Sequence, residues 1–210
     1  MALTGSFRLS ALDATSTYSV AAFKNQVNDE LNTQYPVAKD RYHLYINLGC
    51  PWSTGVCTAL MLKGLQDCIS VTCTKPEEVQ IDDQGNMGFV FDKDCQCKLG
   101  DGTLLENVDS VNNCSSVFEL YQKGSPNYMG PFTLPILWDK ESETIVNNDS
   151  LDIIRMINSN FNAYAKNKQL NMIPENKQTE IEGTAQGWIL KDINKGVYKI
   201  GYAESQQQYE

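Results

Sequence analysis

The sequence is short of positive charge. It has 17 Lys and Arg residues against 26 Asp and Glu residues, which gives a formal net charge of −9. The basic residues are scattered and form no cluster along the chain. Because contacts with nucleic-acid phosphates need clustered Lys and Arg, this distribution argues against a nucleic-acid-binding surface.

Long apolar segments are also missing. No run of apolar residues is long enough to cross a bilayer, and the first twenty residues lack the hydrophobic core of a secretory signal. The seven cysteines are an odd number, and no signal directs them to an oxidising compartment. We therefore expect a soluble, cytosolic globular protein whose thiols are reduced.

The sequence contains a single histidine, His43. It falls on a predicted strand, seven residues before Cys50. A general base must reach the atom from which it takes the proton. We expect His43 to pack in the core or on the strand surface instead.

Cys50 lies between a predicted strand and a predicted helix. Apolar residues at every second position predict a strand over residues 41–48, and helical spacing follows from Ser53 until Gly64. Pro51 occupies the position that proline favours at the start of a helix. A cysteine at a helix N-terminus meets unpaired N–H groups and the positive end of the helix dipole, which favour the thiolate. The pattern predicts a nucleophile; the alternative is a buried cysteine without chemistry.

The segment after Cys50 predicts a βαβ unit followed by a long irregular stretch. Residues 68–73 are short and β-branched, as a second strand would be. Residues 75–109 show little periodicity and exceed an ordinary connection. This stretch contains Cys95-Gln96-Cys97, which could join a metal site, but no CxxC partner or histidine is close in the sequence. A solvent-exposed loop is the preferred interpretation.

The remaining pattern predicts helix, strand, strand, helix. A helix covers residues 114–124, two strands cover residues 132–138 and 144–146, and a helix follows to residue 161. Pro135 lies inside a strand, where it removes a hydrogen bond, and a cis peptide bond would explain it. The order indicates an α/β fold of the thioredoxin-like type.

The ends of the chain are predicted to lie outside that fold. Residues 1–40 are interpreted as an N-terminal arm with a short helix over residues 20–31. Residues 41–160 form the thioredoxin-like domain, and residues 161–210 form an incomplete helical C-terminal domain. Its main helix is expected to begin at Pro174 and to end at Gly196.

Seven motifs, in order over most of residues 41–210, resemble those of one enzyme family. They are Arg41-Tyr42-His43-Leu44-Tyr45, Cys50-Pro51-Trp52, Leu62-Lys63-Gly64-Leu65, Pro135-Ile136-Leu137-Trp138-Asp139-Lys140, Thr144-Ile145-Val146-Asn147-Asn148, Ile153-Ile154-Arg155-Met156 and Gly196-Val197-Tyr198-Lys199. The sequence resembles the glutathionyl-hydroquinone reductases, the Xi class of glutathione transferases. The resemblance implies a thioredoxin-like domain that binds glutathione, a following helical domain, and a homodimer.

The resemblance also implies roles for individual residues. Cys50 would attack the sulfur of a glutathionyl-hydroquinone, release the hydroquinone and form a mixed disulfide with glutathione, while Tyr198 would hydrogen-bond the phenolic oxygen. The residues expected at glutathione are Trp52, Phe89, Leu134, Pro135, Asp149 and Ser150. For Asp149 and Ser150 the alternative is simple helix capping, and for Tyr198 it is packing.

The sequence departs from the family pattern at three places. Gly55 ends a stretch that has lost the family's His-Arg pair, Phe89 replaces a tryptophan, and Pro131 replaces an arginine expected to contact glutathione. An impaired relative that serves as a binding or scaffold protein is therefore the second hypothesis. A conventional conjugating transferase is the third, although such enzymes use Ser or Tyr where this chain has Cys50.

Overall fold

The computed structural model describes residues 21–201, 203 and 205–209, so the first half of the predicted N-terminal arm lies outside the described residues. The described part forms two compact units, residues 21–170 and residues 171–209. None of the helices in this part is long and apolar enough to cross a membrane.

A four-stranded mixed sheet forms the centre of the first unit, with the strand order β2-β1-β5-β6. Its strands and helices, with a separate short hairpin β3–β4, are β1 (Tyr42–Ile46), α1 (Pro51–Lys63), β2 (Ser70–Cys73), β3 (Val79–Gln80), β4 (Met87–Gly88), α2 (Val117–Gly124), β5 (Ile136–Asp139), β6 (Thr144–Asn147), α3 (Ser150–Ser159) and a 3₁₀ turn (Asn160–Ala163). Strand β1 pairs in parallel with β2 and antiparallel with β5. The predicted βαβ unit and the thioredoxin-like fold are confirmed.

Burial explains the position of β1 inside the sheet. All five of its residues are buried, since α1 packs against it and Tyr45 belongs to the aromatic core cluster. A strand with neighbours on both edges and both faces reads as a continuous apolar run. Its register places Leu44 opposite Leu137 of β5 and Val71 of β2.

Gly64 ends α1, as the sequence predicts. Its φ of 66° is left-handed, and its N–H bonds back to the carbonyl oxygens of the last turn. A Cβ at this position would lie 2.7 Å from the Cβ of Lys166. Both the backbone angle and the close approach therefore require glycine.

The N-terminal segment corrects one prediction. Residues 21–31 contain no helix; instead, the chain runs extended beside β6, with Lys24 bridged antiparallel to Asn147. The Asn25 N–H donates to the Val146 carbonyl oxygen at 3.0 Å. An edge strand has unpaired backbone groups, and pairing with them outweighs the weak helical spacing of this segment.

The long stretch after β2 corrects a second prediction. Apart from the hairpin β3–β4 it is irregular, but it is not wholly solvent-exposed. Cys97 is only 4% exposed and Asp109 is completely buried. Asp109 accepts hydrogen bonds from the Tyr45 hydroxyl and from three backbone N–H groups, which fixes the end of the stretch against the sheet.

Helical segments make up the second unit. They are a 3₁₀ turn (Glu175–Lys177), α4 (Gln178–Thr184), a π-helical segment (Ala185–Asn194), α5 (Lys195–Gly201) and α6 (Gln206–Tyr209). The prediction that Gly196 ends the helix is wrong, because Gly196 lies inside α5. The break falls at Gly187, whose ψ of −114° is not helical. Trp188, the residue after this break, is 56% exposed.

Candidate active site

Cys50 occupies the N-cap position of α1, where β1 has ended and Pro51 begins the helix. Its backbone is extended, its side chain is half-buried, and α1 has no acidic residue in its first turn. No carboxylate of the helix start therefore offsets the positive end of the helix dipole next to the sulfur. The location is the one predicted for a nucleophile.

Asn47 holds the turn that presents Cys50. Its side-chain oxygen accepts the Gly49 N–H at 2.7 Å, and its carbonyl oxygen accepts the Cys50 N–H at 3.0 Å. The side-chain amide donates to Thr74 and to the carbonyl oxygens of Lys75 and Pro76. Asn47 was not predicted as a site residue. The feature that could have indicated it is a polar side chain directly after an apolar strand.

The sulfur of Cys50 lies beside a cis-proline loop. The Leu134–Pro135 peptide bond is cis, as proposed from the sequence, and Leu134 is buried. Cys50 Sγ lies 3.9 Å from the carbonyl oxygen of Leu134. The backbone before Pro135 is therefore within reach of a group bonded to this sulfur.

A hydrogen-bond network supports the cis-proline loop from below. The buried Tyr121 hydroxyl donates to the Thr133 carbonyl oxygen at 2.9 Å and accepts from the Asn148 side chain at 2.9 Å. The Asn148 oxygen in turn accepts the Phe23 N–H. Burial raises the pKa of Tyr121 to about 12, so the phenol stays neutral. The network ties the loop to the start of α3, and sequence reasoning had not identified it.

Within helix α1, Pro51–Lys63, no second thiol is placed to resolve a bond at Cys50. The CxxS motif places Ser53 three residues on, where it is fully buried and has no hydrogen-bond partner among the residues that the structure describes. Cys57 is buried two turns along α1, and burial raises its pKa to about 11. A mixed disulfide at Cys50 would have to be opened by an external thiol.

The start of α3 shows capping by Asp149. One carboxylate oxygen accepts the N–H groups of Leu151 and Asp152 at 3.0 and 3.2 Å, and the other lies 3.5 Å from Lys24 Nζ. Ser150 is the first residue of the helix. The capping alternative is thus observed, while a role of Asp149 and Ser150 in glutathione binding stays a prediction. Lys24 is a nearby cation that the sequence did not indicate.

Trp52, Phe89 and Tyr198 are the remaining predicted site residues. Trp52 is half-buried in the first turn of α1, and Phe89 packs partly buried against the core cluster that contains Leu134. Tyr198 belongs to α5 of the second unit, so its role beside a hydroquinone stays a prediction. The structure brings together Cys50, Leu134 and Pro135.

His43 is a buried residue whose contacts are structural. Its Nδ1 lies 2.6 Å from the Ser70 hydroxyl and its Nε2 lies 3.0 Å from the Thr72 hydroxyl. Burial lowers its pKa from 6.5 to about 4. The ring is neutral and both nitrogens have partners on β2, so the expectation of a packed histidine is confirmed.

Comparison with known proteins identifies related chains. The family model described as "Glutathione S-transferase, N-terminal domain" matches residues 49–160. The glutathionyl-hydroquinone reductase YqjG of Escherichia coli is 40% identical over 172 residues, which cover 82% of this chain and 48% of that protein. The glutathionyl-hydroquinone reductase PcpF of Sphingobium chlorophenolicum is 32% identical over 187 residues, covering 89% of this chain and 54% of that protein.

Solved structures of glutathione transferases are also similar to this chain. A Xi-class glutathione transferase from Natrialba magadii superposes with a TM-score of 0.77 at 33% identity, covering 89% of this chain and 53% of that one. The glutathione-bound structure of YqjG gives a TM-score of 0.75 at 36% identity, covering 90% of this chain and 58% of that one. This chain spans about half the length of the curated relatives YqjG and PcpF.

Proposed function

Because this chain belongs to the glutathione S-transferase family, we propose that it is a glutathione-dependent thiol transferase that reduces glutathionyl-hydroquinones to hydroquinones. The observation that carries the proposal is the position of Cys50 Sγ, at a helix N-terminus and 3.9 Å from the carbonyl oxygen before cis-Pro135. The names of YqjG and PcpF, and the glutathione bound to YqjG, support this choice of substrate and ligand.

The reaction has two thiol-exchange steps. In the first, the Cys50 sulfur attacks the sulfur of the glutathionyl-hydroquinone; an S–S bond forms, the carbon–sulfur bond breaks, and the ring carbon takes a proton as hydroquinone leaves. In the second, a glutathione thiolate attacks the glutathione sulfur of the mixed disulfide, so that glutathione disulfide leaves and Cys50 is restored. The ring is reduced by two electrons, and two glutathione sulfurs are oxidised to one disulfide.

Glutathione would bind along the loop and helix starts next to Cys50. The Leu134 backbone would pair with its cysteinyl part, with Trp52 and Phe89 at the edges of the site. Asp149 would meet the γ-glutamyl ammonium, and the Ser150 hydroxyl with the α3 N-terminus would meet its carboxylate. In the first step of the proposal, Tyr198 hydrogen-bonds the phenolic oxygen of the substrate ring.

Binding is expected to be weaker than in relatives that keep an arginine at the position of Pro131. Loss of a guanidinium that pairs with a carboxylate removes about 1.5–3 kcal/mol, which is about ten- to a hundredfold in affinity. Lys24, 3.5 Å from Asp149, supplies a positive charge near that end of the site but no bidentate pairing.

The proposal also covers the compartment, the metabolic role and the oligomeric state of the protein. We place the protein in the cytosol, in quinone metabolism, and as a homodimer. The composition supports the first, the names of the relatives support the second, and the family resemblance supports the third. Gel filtration with light scattering would contradict the last of these by giving the mass of one chain.

The test compares two cysteine variants. Cys50→Ala should abolish glutathione release from a glutathionyl-hydroquinone, and after brief treatment with glutathione disulfide the peptide that contains residue 50 should carry no glutathione adduct. Cys114→Ala is the matched control, since Cys114 is also half-buried but burial raises its pKa to about 12. It should keep both signals. Undiminished turnover in folded Cys50→Ala protein would refute the proposal.

A second candidate function is a binding or scaffold protein that has lost catalysis. The observation in its favour is that Asp149 caps α3 and pairs with Lys24, while Pro131 stands where the family has arginine. Calorimetry distinguishes the two functions. Heat on addition of millimolar glutathione supports the enzyme, whereas no heat together with no adduct at Cys50 supports the scaffold.

A further inference from the structure

Two buried thiols outside the Cys50 site lie together at the end of β2, and a third cysteine is their neighbour in the sequence. The thiols of Cys73 and Cys97 both contact the carbonyl oxygen of Thr74, at 3.4 and 3.7 Å. Cys95 lies two residues before Cys97. All three are free cysteines. The Cys73 and Cys97 thiols therefore share one acceptor, and we refer to Cys95, Cys97 and Cys73 together as the thiol series.

Residues 105–107 fix the two buried members of this series. The Cys73 N–H donates to the Glu106 carbonyl oxygen, and the Leu105 N–H donates to the Cys97 carbonyl oxygen. Asn107 joins both cysteines, because its amide donates to the Cys73 carbonyl oxygen at 2.9 Å and its oxygen accepts the Cys97 N–H at 3.3 Å. The backbones of Cys73 and Cys97 are thus fixed next to each other by hydrogen bonds.

Only Cys95 has access to solvent reagents. Cys73 is fully buried and Cys97 is 4% exposed, whereas Cys95 is half-buried and lines a surface cavity of about 390 Å³. Lys93 and Glu106 also line this cavity. A small disulfide can therefore reach Cys95 first and the other two sulfurs only through it.

We propose that Cys95, Cys97 and Cys73 form a second thiol–disulfide site, which small disulfides such as glutathione disulfide oxidise and which ends as a Cys73–Cys97 disulfide. No group of three or more metal-ligating side chains in the described part of the chain is arranged to hold a metal ion, so disulfide chemistry is the chemistry that this cluster supports. The inference does not depend on the proposed function.

The exchange takes three balanced steps. Cys95 attacks glutathione disulfide, forming a mixed disulfide and releasing one glutathione. Cys97 attacks the Cys95 sulfur, which forms the Cys95–Cys97 disulfide and releases the second glutathione. Cys73 then attacks the Cys97 sulfur, so that Cys95 returns as a thiol. Two protein thiols are oxidised, and one glutathione disulfide is reduced to two glutathiones.

The residues around Cys95 and Cys73 are expected to slow the oxidation of these thiols. Burial raises the pKa of Cys95, as do Cys97 and the carboxylates of Asp92 and Glu77, and burial also raises the pKa of Cys73. A smaller thiolate fraction slows attack, so we expect oxidation to take hours where Cys50 reacts in minutes. Such a site responds to sustained oxidation and not to each turnover.

The experiment uses the full chain carrying Cys50→Ala, so that its outcome is independent of the active site. The reduced protein is incubated with glutathione disulfide, the remaining thiols are alkylated, and the digest is examined by mass spectrometry while circular dichroism confirms that the protein stays folded. A cross-linked peptide pair containing Cys73 and Cys97 is expected. Alkylated Cys73 and Cys97 after prolonged incubation would overturn the proposal.

Further variants on the same background test the order of the steps. Cys95→Ser should slow the cross-link by about tenfold or more, because the accessible sulfur is gone. Cys97→Ser should leave Cys95 as a glutathione adduct with no cross-link. Cys114→Ser is the control and should oxidise like the parent. An unchanged rate in Cys95→Ser protein would refute the relay.

Discussion

His43 makes stability depend on pH in a way that the structure allows to be estimated. The ring is 1% exposed, lies between the hydroxyls of Ser70 and Thr72, and has a pKa lowered by burial from 6.5 to about 4. In the unfolded chain the ring takes up a proton below its ordinary pKa, whereas in the folded chain it stays neutral. Folding stability is therefore lost as pH falls from 6.5 towards 4.

The size of the effect follows from linkage. A difference of about 2.5 pKa units amounts to about 3 kcal/mol once both states are protonated, and to about 2 kcal/mol near pH 5. Carboxylates contribute as pH falls further, among them Asp139, whose pKa is lowered from its ordinary value by its hydrogen bonds to Arg41 despite burial. The contribution of His43 must therefore be measured as a difference between two proteins.

Urea unfolding of the native protein and of His43→Gln provides that difference. Glutamine keeps a donor and an acceptor for the two hydroxyls but does not titrate. Between about pH 7.5 and pH 5, the native protein should lose about 2 kcal/mol more stability than the variant. Equal losses in the two proteins would show that the ring is accessible to protons in the fold, and the assignment of His43 as a packed, neutral residue would fail.

Two further predictions concern stability. Arg41→Ala should cost about 3–5 kcal/mol in urea unfolding, because it leaves the fully buried Asp139 without its two-pronged partner, which lies 2.8 and 2.6 Å away; a loss under about 1 kcal/mol would mean that the pair is hydrated. Gly64→Ala should lower the melting temperature more than Gly85→Ala does, because both have positive φ but only Gly64 also meets Lys166; equal shifts would contradict the steric argument.

Local patterns predicted the framework of the site. Alternating apolar residues, Pro51 at a helix start and Gly64 at its end each act within a few residues, so their positions could be predicted from sequence. Pro135 was unusual enough inside a strand to indicate a special backbone, and its peptide bond is cis. Proximity of Cys50 to this loop followed only from the order of strands and helices, which is a property of the whole fold.

Contacts between distant segments could not be predicted in this way. Residues 21–31 carry weak helical spacing, but Asn25 donates its N–H to Val146 of β6, more than a hundred residues away. Asn107 joins Cys73 and Cys97 across a stretch without periodicity, so nothing in the local pattern indicated that Cys97 is buried. Polar residues that organise loops gain their importance from partners that the sequence does not reveal.

Cys50 and Cys95 differ in the electrostatic surroundings of their sulfurs. Cys50 stands at the end of a 13-residue helix with no acid in its first turn, so backbone dipoles act on it without opposition. Burial raises the pKa of Cys95, and the neighbouring Cys97 and carboxylates of Asp92 and Glu77 raise it further. Under the proposed function, reaction at Cys50 would proceed while the second site stays reduced. The second site would oxidise only when glutathione disulfide persists, and the Cys50→Ala background separates the two.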